Sequence, residues 1–147
     1  ARGNIIANIS LDHEKTKQLK FQVVATDNGS EPRSTTVDIV VTVTDRNDES
    51  PLFEKDRYEF EVMENLPVNT TVNTVLAVDK DSGDNGMISY TILPKDNPFE
   101  IRHNGVIVTK DKLDREHREH YSLTIYAVDK GEPSLTGTTA VIITVGD

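Results

Sequence analysis

The residues of this chain that could do chemistry are mostly acidic, and several of them stand together in Asp45-Arg46-Asn47-Asp48-Glu49-Ser50-Pro51. The stretch follows an alternating, valine-rich run over residues 37–43 and leads into Leu52-Phe53. Each close pair of like charges near a protein surface costs about 1 to 4 kcal/mol. Because a bound cation would offset that repulsion, the stretch indicates a cation site shared with residues elsewhere in the chain.

The composition limits the classes of protein that come into question. A chain of 147 residues is long enough for a real hydrophobic core, and its formal net charge of −9 argues against a nucleic-acid partner. The surplus of Asp and Glu is also compatible with an ordinary solvated surface. There is no cysteine, so disulfides and thiol chemistry are excluded while the compartment stays open. No apolar run approaches the roughly 18 residues that a membrane-spanning helix needs.

An internal repeat organises the chain. Setting the sequence against itself at an offset of 102 residues pairs identical residues, among them Leu11 with Leu113, Asp12 with Asp114, Glu14 with Glu116, Asp27 with Asp129, Gly29 with Gly131 and Asp45 with Asp147. A repeat of about one hundred residues is typical of a stacked array of small domains.

The hydrophobic pattern predicts strands in both units. Apolar residues alternate over residues 19–25 and again over residues 121–127, with turn residues such as Asn28-Gly29 and Asn104-Gly105 between the runs. Seven short strands in about 95 residues predict an all-β, antiparallel Greek-key sandwich. We expect residues 52–147 to form this complete unit, residues 1–44 to form the C-terminal half of a similar sandwich, and residues 45–51 to link them.

The acidic motifs carry a family resemblance that covers the whole chain. The motifs are Leu11-Asp12-His13-Glu14, Leu113-Asp114-Arg115-Glu116, Val62-Met63-Glu64-Asn65, the 45–51 stretch, Asp79-Lys80-Asp81-Ser82-Gly83 and Ala127-Val128-Asp129. Together they resemble the calcium-binding motifs of extracellular cadherin repeats. Each motif alone is weak, but five kinds in this order, two of them repeated at the domain period, are specific. The motifs do not identify a particular family member.

The resemblance implies that up to three Ca²⁺ ions bind in each linker between repeats. Carried over residue by residue, the first two ions would use Asp12, Glu14, Asp45, Asp48, Asp81 and the carbonyl of Arg46. The third ion would use Asn47, Asp79, Asp81, Asp129 and the carbonyls of Glu49 and Asn85. This mixture of carboxylate, amide and carbonyl oxygens is the kind of ligand set that Ca²⁺ takes.

Two departures from the family pattern qualify this expectation. Glu49 stands where the family's linker usually has Asn, although that position is expected to supply a carbonyl. The glutamate that the upper repeat contributes from its first strand has no counterpart in the sequence given, so we expect the third ion to be the best occupied. A second set, Glu64, Asp114, Glu116 and Asp147, corresponds to the upper part of another linker, and we expect it to be incomplete or to form an acidic rim without an ion.

Other interpretations of the same residues fit less well. No EF-hand register of residues 79–92 supplies the required Gly and Glu positions, and His117-x-x-His120 matches no HExxH order. Asp79 and Asp81 resemble a glycosidase pair, but the chain has no tryptophan to stack a sugar. Three N-x-Ser/Thr triplets, at Asn8, Asn28 and Asn69, are possible glycosylation sites, and Asn69 is the preferred candidate.

The sequence therefore predicts a non-enzymatic, calcium-dependent cell-adhesion module or spacer, extracellular and part of a plasma-membrane protein. Its partners would be neighbouring repeats of the same array and a cadherin-type protein, homophilic or heterophilic, with no role for nucleic acid. The alternative interpretation is a calcium-independent β-sandwich binding domain of an unrelated receptor.

Overall fold

The computed structural model describes residues 2–147, which form two compact units, the first ending at residue 46 and the second spanning residues 47–147. In the part of the chain that the structure describes, no α-helix is long and apolar enough to cross a bilayer.

The regular structure of the first unit is a β-hairpin. Strand β1 (Gln18–Thr26) pairs antiparallel with β2 (Ser34–Thr42), in a register that runs from Gln18 opposite Thr42 to Thr26 opposite Ser34. The alternating apolar side chains of β1 that predicted a strand remain more than a third exposed. The alternation therefore predicted the strand correctly, and the hairpin presents an apolar face.

The second unit contains nine strand segments and one short 3₁₀ turn, Gly83–Gly86. In chain order the segments are β3 (Leu52–Phe53), β4 (Arg57–Met63), β5 (Thr71–Thr74), β6 (Ala77–Val78), β7 (Ser89–Leu93), β8 (Phe99–Ile101), β9 (Val106–Thr109), β10 (His120–Val128) and β11 (Thr136–Gly146).

These segments build the two layers of a Greek-key sandwich. One sheet has the order β4-β11-β10-β7, with β4 parallel to β11 and the other neighbours antiparallel. The other layer is made of the pair β3-β6 and the three strands β5-β9-β8. The first long strand thus lies beside the last, as the predicted topology requires, and the all-β prediction is confirmed.

The nine segments correspond to seven strands, two of which are interrupted. The first strand pairs with β6 as β3, leaves that sheet over residues 54–56, and joins β11 as β4. The second strand breaks between β5 and β6, where the N–H of Val75 donates to the carbonyl of Gly105 at 3.0 Å. One change of sheet and one irregularity therefore account for the difference from the simple strand count.

The core fills the space between the two layers of the second unit. Ile107, Ile125 and Ile143 are fully buried, and Phe99 packs edge-on against Tyr121 with ring centroids 5.2 Å apart. Burying each such side chain contributes about 1.5 to 3 kcal/mol. In β10 and β11 every second residue is buried, so the period of two in the sequence predicted the inward face.

The internal repeat is also present in the hydrogen-bonded pairing. β10 pairs with β11 from His120 opposite Thr144 to Val128 opposite Thr136, which is the β1–β2 register displaced by 102 residues. The N–H of Val43 donates to the backbone carbonyl of Lys17 at 3.0 Å, and the N–H of Val145 donates to the backbone carbonyl of Glu119 at 2.8 Å. The two hairpins are thus structural copies.

Candidate metal centre

Asp129 is fixed by the loop that follows β10. Its Oδ1 accepts hydrogen bonds from the N–H groups of Gly131 at 2.9 Å and Leu135 at 3.0 Å, while its own N–H donates to the carbonyl of Leu135 at 3.1 Å. Asp side chains favour such local bonds to the backbone of a turn. The carboxylate is only 3% exposed, so it is a buried charge held at the end of a strand.

Asp79 and Asp81 form a second arm of the centre, just after β6. The N–H of Asp81 donates to Asp79 Oδ1 at 2.9 Å, and the N–H of Glu49 donates to Asp81 Oδ2 at 3.1 Å. Asp81 is only 8% exposed. The local turn therefore places two carboxylates together and ties one of them to the 47–51 segment.

Asn47 joins this segment to Asp129. Its Nδ2 donates to Asp129 Oδ1 at 3.2 Å and to the carbonyl of Pro133 at 2.7 Å. Both amide donors are thereby directed away, which leaves Oδ1 to face elsewhere. Pairwise contacts connect six residues that the resemblance assigns to one ion, and we call them the Asp129 group: Asn47, Glu49, Asp79, Asp81, Asn85 and Asp129.

Two oxygens of the Asp129 group are buried without a hydrogen-bond partner, Asn47 Oδ1 and Asp79 Oδ2. A buried polar atom left unsatisfied costs about 1 to 3 kcal/mol, and more for a charged group. Both atoms are acceptors, and both belong to residues that the family resemblance assigns to the third ion. The donor set therefore fits a hard cation such as Ca²⁺.

The charges of the Asp129 group also favour a bound cation. Within residues 2–147, neither Asp79 nor Asp129 forms an ion pair with Lys, Arg or His. A buried carboxylate is expensive unless a counter-charge compensates it. The Asp129 group thus concentrates negative charge that a divalent cation would neutralise.

Two glycines make room for the group, and the sequence predicted them only as turn residues, with no role in the site. A Cβ atom at Gly131 would overlap the side-chain amide of Asn47 and lie 2.8 Å from Asn85 Oδ1. A Cβ atom at Gly86 would overlap the carbonyl oxygen of Asp81. The pairing of Gly29 with Gly131 in the repeat was the signal available for the first of them.

The first unit contributes a set of its own, Asp12, Glu14, Asp45 and Arg46. The N–H of Glu14 donates to Asp12 Oδ1 at 3.0 Å, and the His13 ring bonds the carbonyl of Val43 at 2.7 Å. The ring thus fastens the Asp12–Glu14 turn to the segment that leads into Asp45. The pKa of Asp12 is lowered to about 2. The main cause is the Lys15 ammonium, which lies 2.7 Å from Asp12 Oδ2, and the second cause is the hydrogen bond with Glu14. Asp12 therefore stays ionised in neutral solution.

Asp48 is exposed, unlike the acidic side chains of the Asp129 group. It forms no hydrogen bond or ion pair within the described part of the chain. Its assignment to the first two ions therefore stays a prediction from the resemblance.

The second acidic set lies near the end of β4. Glu64 Oε2 accepts from the N–H of Arg115 at 2.9 Å, and Asp114 Oδ1 accepts from the N–H of Glu116 at 3.0 Å. The Asp114–Glu116 bond repeats the Asp12–Glu14 bond at the same spacing. Asp114, Glu116 and Asp147 are exposed. The pKa of Arg115 is raised mainly by its hydrogen bond to Glu119, and further by the negative charges of Asp147 and Glu116.

The amino-acid sequence of this chain is similar to those of known proteins. The family profile described as Cadherin domain matches residues 58–146. Human Cadherin-23 is 39% identical over 128 residues, covering 86% of this chain, and the Drosophila melanogaster protocadherin-like wing polarity protein stan is 42% identical over 154 residues, covering 99%. The chain spans about 4% of the length of each.

Solved structures agree with these relatives. Mouse Cadherin-23 EC22-24 has a TM-score of 0.88 and 34% identity, over 95% of this chain and 46% of that one. Mouse clustered PcdhgC3 EC1-3 has a TM-score of 0.87 and 33% identity, over the same shares of the two chains. The chain therefore belongs to the cadherin family, and the resemblance inferred from its motifs is confirmed.

Family membership shows which kind of domain this chain contains. Cadherin repeats are extracellular adhesion domains and not enzymes, so the expectation of a non-enzymatic, extracellular adhesion-type repeat is confirmed at this level. Cadherin domains bind Ca²⁺ at the linkers between repeats. In the cadherin and protocadherin relatives, these domains are extracellular parts of membrane proteins.

Proposed function

We propose that this chain is a calcium-stiffened part of a cadherin array, with residues 45–51 as the linker between a partial repeat (1–44) and a complete one (52–147). Up to three Ca²⁺ ions bind the linker. In the parent protein the array holds cells together or acts as a spacer. Its partners are neighbouring repeats and a cadherin-type protein, homophilic or heterophilic, and its setting is the outer face of the plasma membrane.

The observation that carries this proposal is the pair of buried, unpartnered oxygens in the Asp129 group, Asn47 Oδ1 and Asp79 Oδ2. A cation is coordinated directly by such acceptor oxygens, and no protein N–H or O–H in the described structure donates to either of them. The carboxylates of Asp81 and Asp129 add the charge that a divalent ion requires. All six residues of this group lie within residues 47–147.

The other two ions are proposed from the sequence and the family. Their ligands would be Asp12, Glu14, Asp45, Asp48, Asp81 and the carbonyl of Arg46. The fixed Asp12–Glu14 turn supports this assignment, because His13 holds it to the segment that leads to Asp45.

Charge balance explains why calcium would stiffen the linker. The proposed ligands include seven carboxylates: Asp12, Glu14, Asp45, Asp48, Asp79, Asp81 and Asp129. Three divalent ions nearly cancel their charge, whereas the ion-free linker retains repelling carboxylates. Calcium removal should therefore leave a hinge at residues 45–51.

Calorimetric titration of the chelator-treated chain with CaCl₂ tests this function, with thermal melting followed in parallel. We expect heat of binding with dissociation constants of about 10⁻⁴ to 10⁻³ M, typical of extracellular calcium modules. Ligand linkage should also raise the melting temperature as calcium is added. If neither heat of binding nor a rise in melting temperature is measured up to tens of millimolar calcium, the proposal is wrong.

A further inference from the structure

The turn between β4 and β5 carries the triplet Asn69-Thr70-Thr71, which the calcium chemistry does not use. Its backbone is firmly held. The N–H of Asn69 donates to the carbonyl of Thr109 at 2.7 Å, and the N–H of Thr70 donates to Thr109 Oγ1 at 3.1 Å. The hydroxyl of Thr70 donates to the carbonyl of Pro67 at 2.6 Å. The turn therefore keeps its shape without help from the side chain of Asn69.

That side chain is available for modification. Asn69 is exposed, and its amide makes no hydrogen bond in the described structure, while Thr71 is exposed as well. Asn69 has φ of 70°, a left-handed conformation that Asn tolerates better than most residues. We propose that Asn69 carries an N-linked oligosaccharide.

Glycosylation of Asn69 is a group transfer. Asn69 Nδ2 forms a bond to the anomeric carbon of an oligosaccharide carried on a lipid pyrophosphate. The bond between that carbon and the pyrophosphate oxygen breaks, the lipid pyrophosphate leaves with the electron pair, and the amide loses one proton. The hydroxyl at the third position of the triplet is the feature that makes the asparagine an acceptor.

The other two triplets are in less favourable surroundings. Asn8 borders a hollow lined by the apolar side chains of Ile5, Ile6 and Leu19 in the first unit. Asn28 stands between Asp27 and Gly29, in a loop where Asp27 Oδ1 accepts from Gly29 at 3.0 Å and from Arg33 at 3.1 Å. Asn69 borders no such hollow in the described structure, and the side-chain hydrogen bonds of its turn are made by Thr70 and Thr109 and not by a carboxylate next to the acceptor.

A glycan at Asn69 is compatible with calcium binding. Residues 47–51 precede the start of β4, and Asn69 follows its end. Seven residues of strand span about 20 Å. The oligosaccharide would thus extend from the end of the repeat remote from the Asp129 group. The inference goes beyond the proposed function and needs only the extracellular setting of the family.

Secretion of residues 1–147 from a eukaryotic cell line tests the proposal. The glycan is released by an amidase in heavy-oxygen water, and peptides are then mapped by mass spectrometry. We expect most copies of the Asn69 peptide to appear as heavy-oxygen-labelled Asp, and the intact protein to lose the mobility shift of one glycan. An unmodified Asn69 peptide in secreted wild-type protein would overturn the proposal.

Two variants of Thr71 distinguish the effect of the acceptor motif from the effect of the turn. Thr71→Ala removes the acceptor motif while leaving Asn69 in place, and Thr71→Ser retains it, so the label should vanish in the first and persist in the second. Asn65, exposed with φ of 58° but followed by Leu66-Pro67, is an internal control that should stay unlabelled. Asn69→Gly accepts the positive φ and gives a second glycan-free protein if Thr71→Ala is poorly secreted. Label at Asn69 in Thr71→Ala would contradict the assignment.

Because calcium binding is measured separately on glycan-free protein, failure of the glycan proposal leaves the calcium proposal standing, and the reverse is also true.

Discussion

At the scale of single residues, Asp81 is the carboxylate on which most of the proposed calcium chemistry depends. It is assigned to two ions, it is 8% exposed, and its Oδ2 accepts from the N–H of Glu49 at 3.1 Å. We expect Asp81→Ala to weaken calcium binding by at least tenfold, about 1.4 kcal/mol. Calorimetric titration checks this expectation.

The matched control for Asp81 is Asp38→Ala, which removes an exposed carboxylate in the middle of β2. Asp38 accepts from Gln22 Nε2 at 2.8 Å and belongs to neither proposed ligand set. Calcium affinity should be unchanged in this variant. Equal affinities for wild type and Asp81→Ala would show that the ligand assignment is wrong.

Asp79 offers a test in which the sign of the effect reverses with calcium. The residue bonds the N–H of Asp81 through Oδ1, while its buried Oδ2 has no partner. Asp79→Asn keeps the first bond and removes one negative charge. In chelator we expect stability to rise by up to about 1 kcal/mol, because like-charge repulsion falls. In calcium we expect stability to fall, because a charged ligand is lost.

Thermal melting of wild type and Asp79→Asn, each in chelator and in millimolar calcium, measures the two signs. A variant that is destabilised equally in both conditions would mean that the Asp79 carboxylate serves the fold alone.

At the scale of elements, the loop after β10 is shaped by a glycine. A Cβ atom at position 131 would overlap the amide of Asn47. We therefore expect Gly131→Ala to shift Asn47, to cost about 1 to 3 kcal/mol of stability and to weaken calcium binding. Denaturant unfolding and calorimetric titration would measure both effects.

Gly3→Ala is the control for this substitution, because no atom lies within 4 Å of a Cβ atom built there. Wild-type calcium affinity in Gly131→Ala would contradict the close approach of Asn47 to this loop.

The sequence predicted elements well where a period of two or a repeat carried the signal. The alternation at Tyr121, Leu123 and Ile125 predicted the buried face of β10, and the 102-residue offset anticipated two hairpins of the same register. The change of sheet over residues 54–56 was not predictable, because it depends on pairing with distant strands.

The candidate site was predicted in part for a related reason. The family resemblance of the motifs assigned Asn47, Asp79, Asp81 and Asp129 to one ion. Local sequence does not encode the direction of the Asn47 amide, which is set by Asp129 and by the carbonyl of Pro133, far along the chain. The spatial role of Gly131 depends on the same long-range contact.

At the scale of the whole molecule, the proposed role of calcium is mechanical. If ions hold the ligands of residues 45–51 to those of both repeats, chelation should free the linker. Small-angle scattering of the same sample in calcium and in chelator should then show a broader distance distribution after chelation. An unchanged scattering curve would favour the alternative of a calcium-independent binding domain.

The central claim is that the Asp129 group binds calcium, and anomalous diffraction from crystals grown with calcium tests it most directly. We predict an anomalous peak within about 2.3 to 2.6 Å of carboxylate oxygens from Asp79, Asp81 and Asp129, with Asn47 Oδ1 among the ligands. Well-ordered density for these side chains with no anomalous peak among them, at millimolar calcium, would contradict the account.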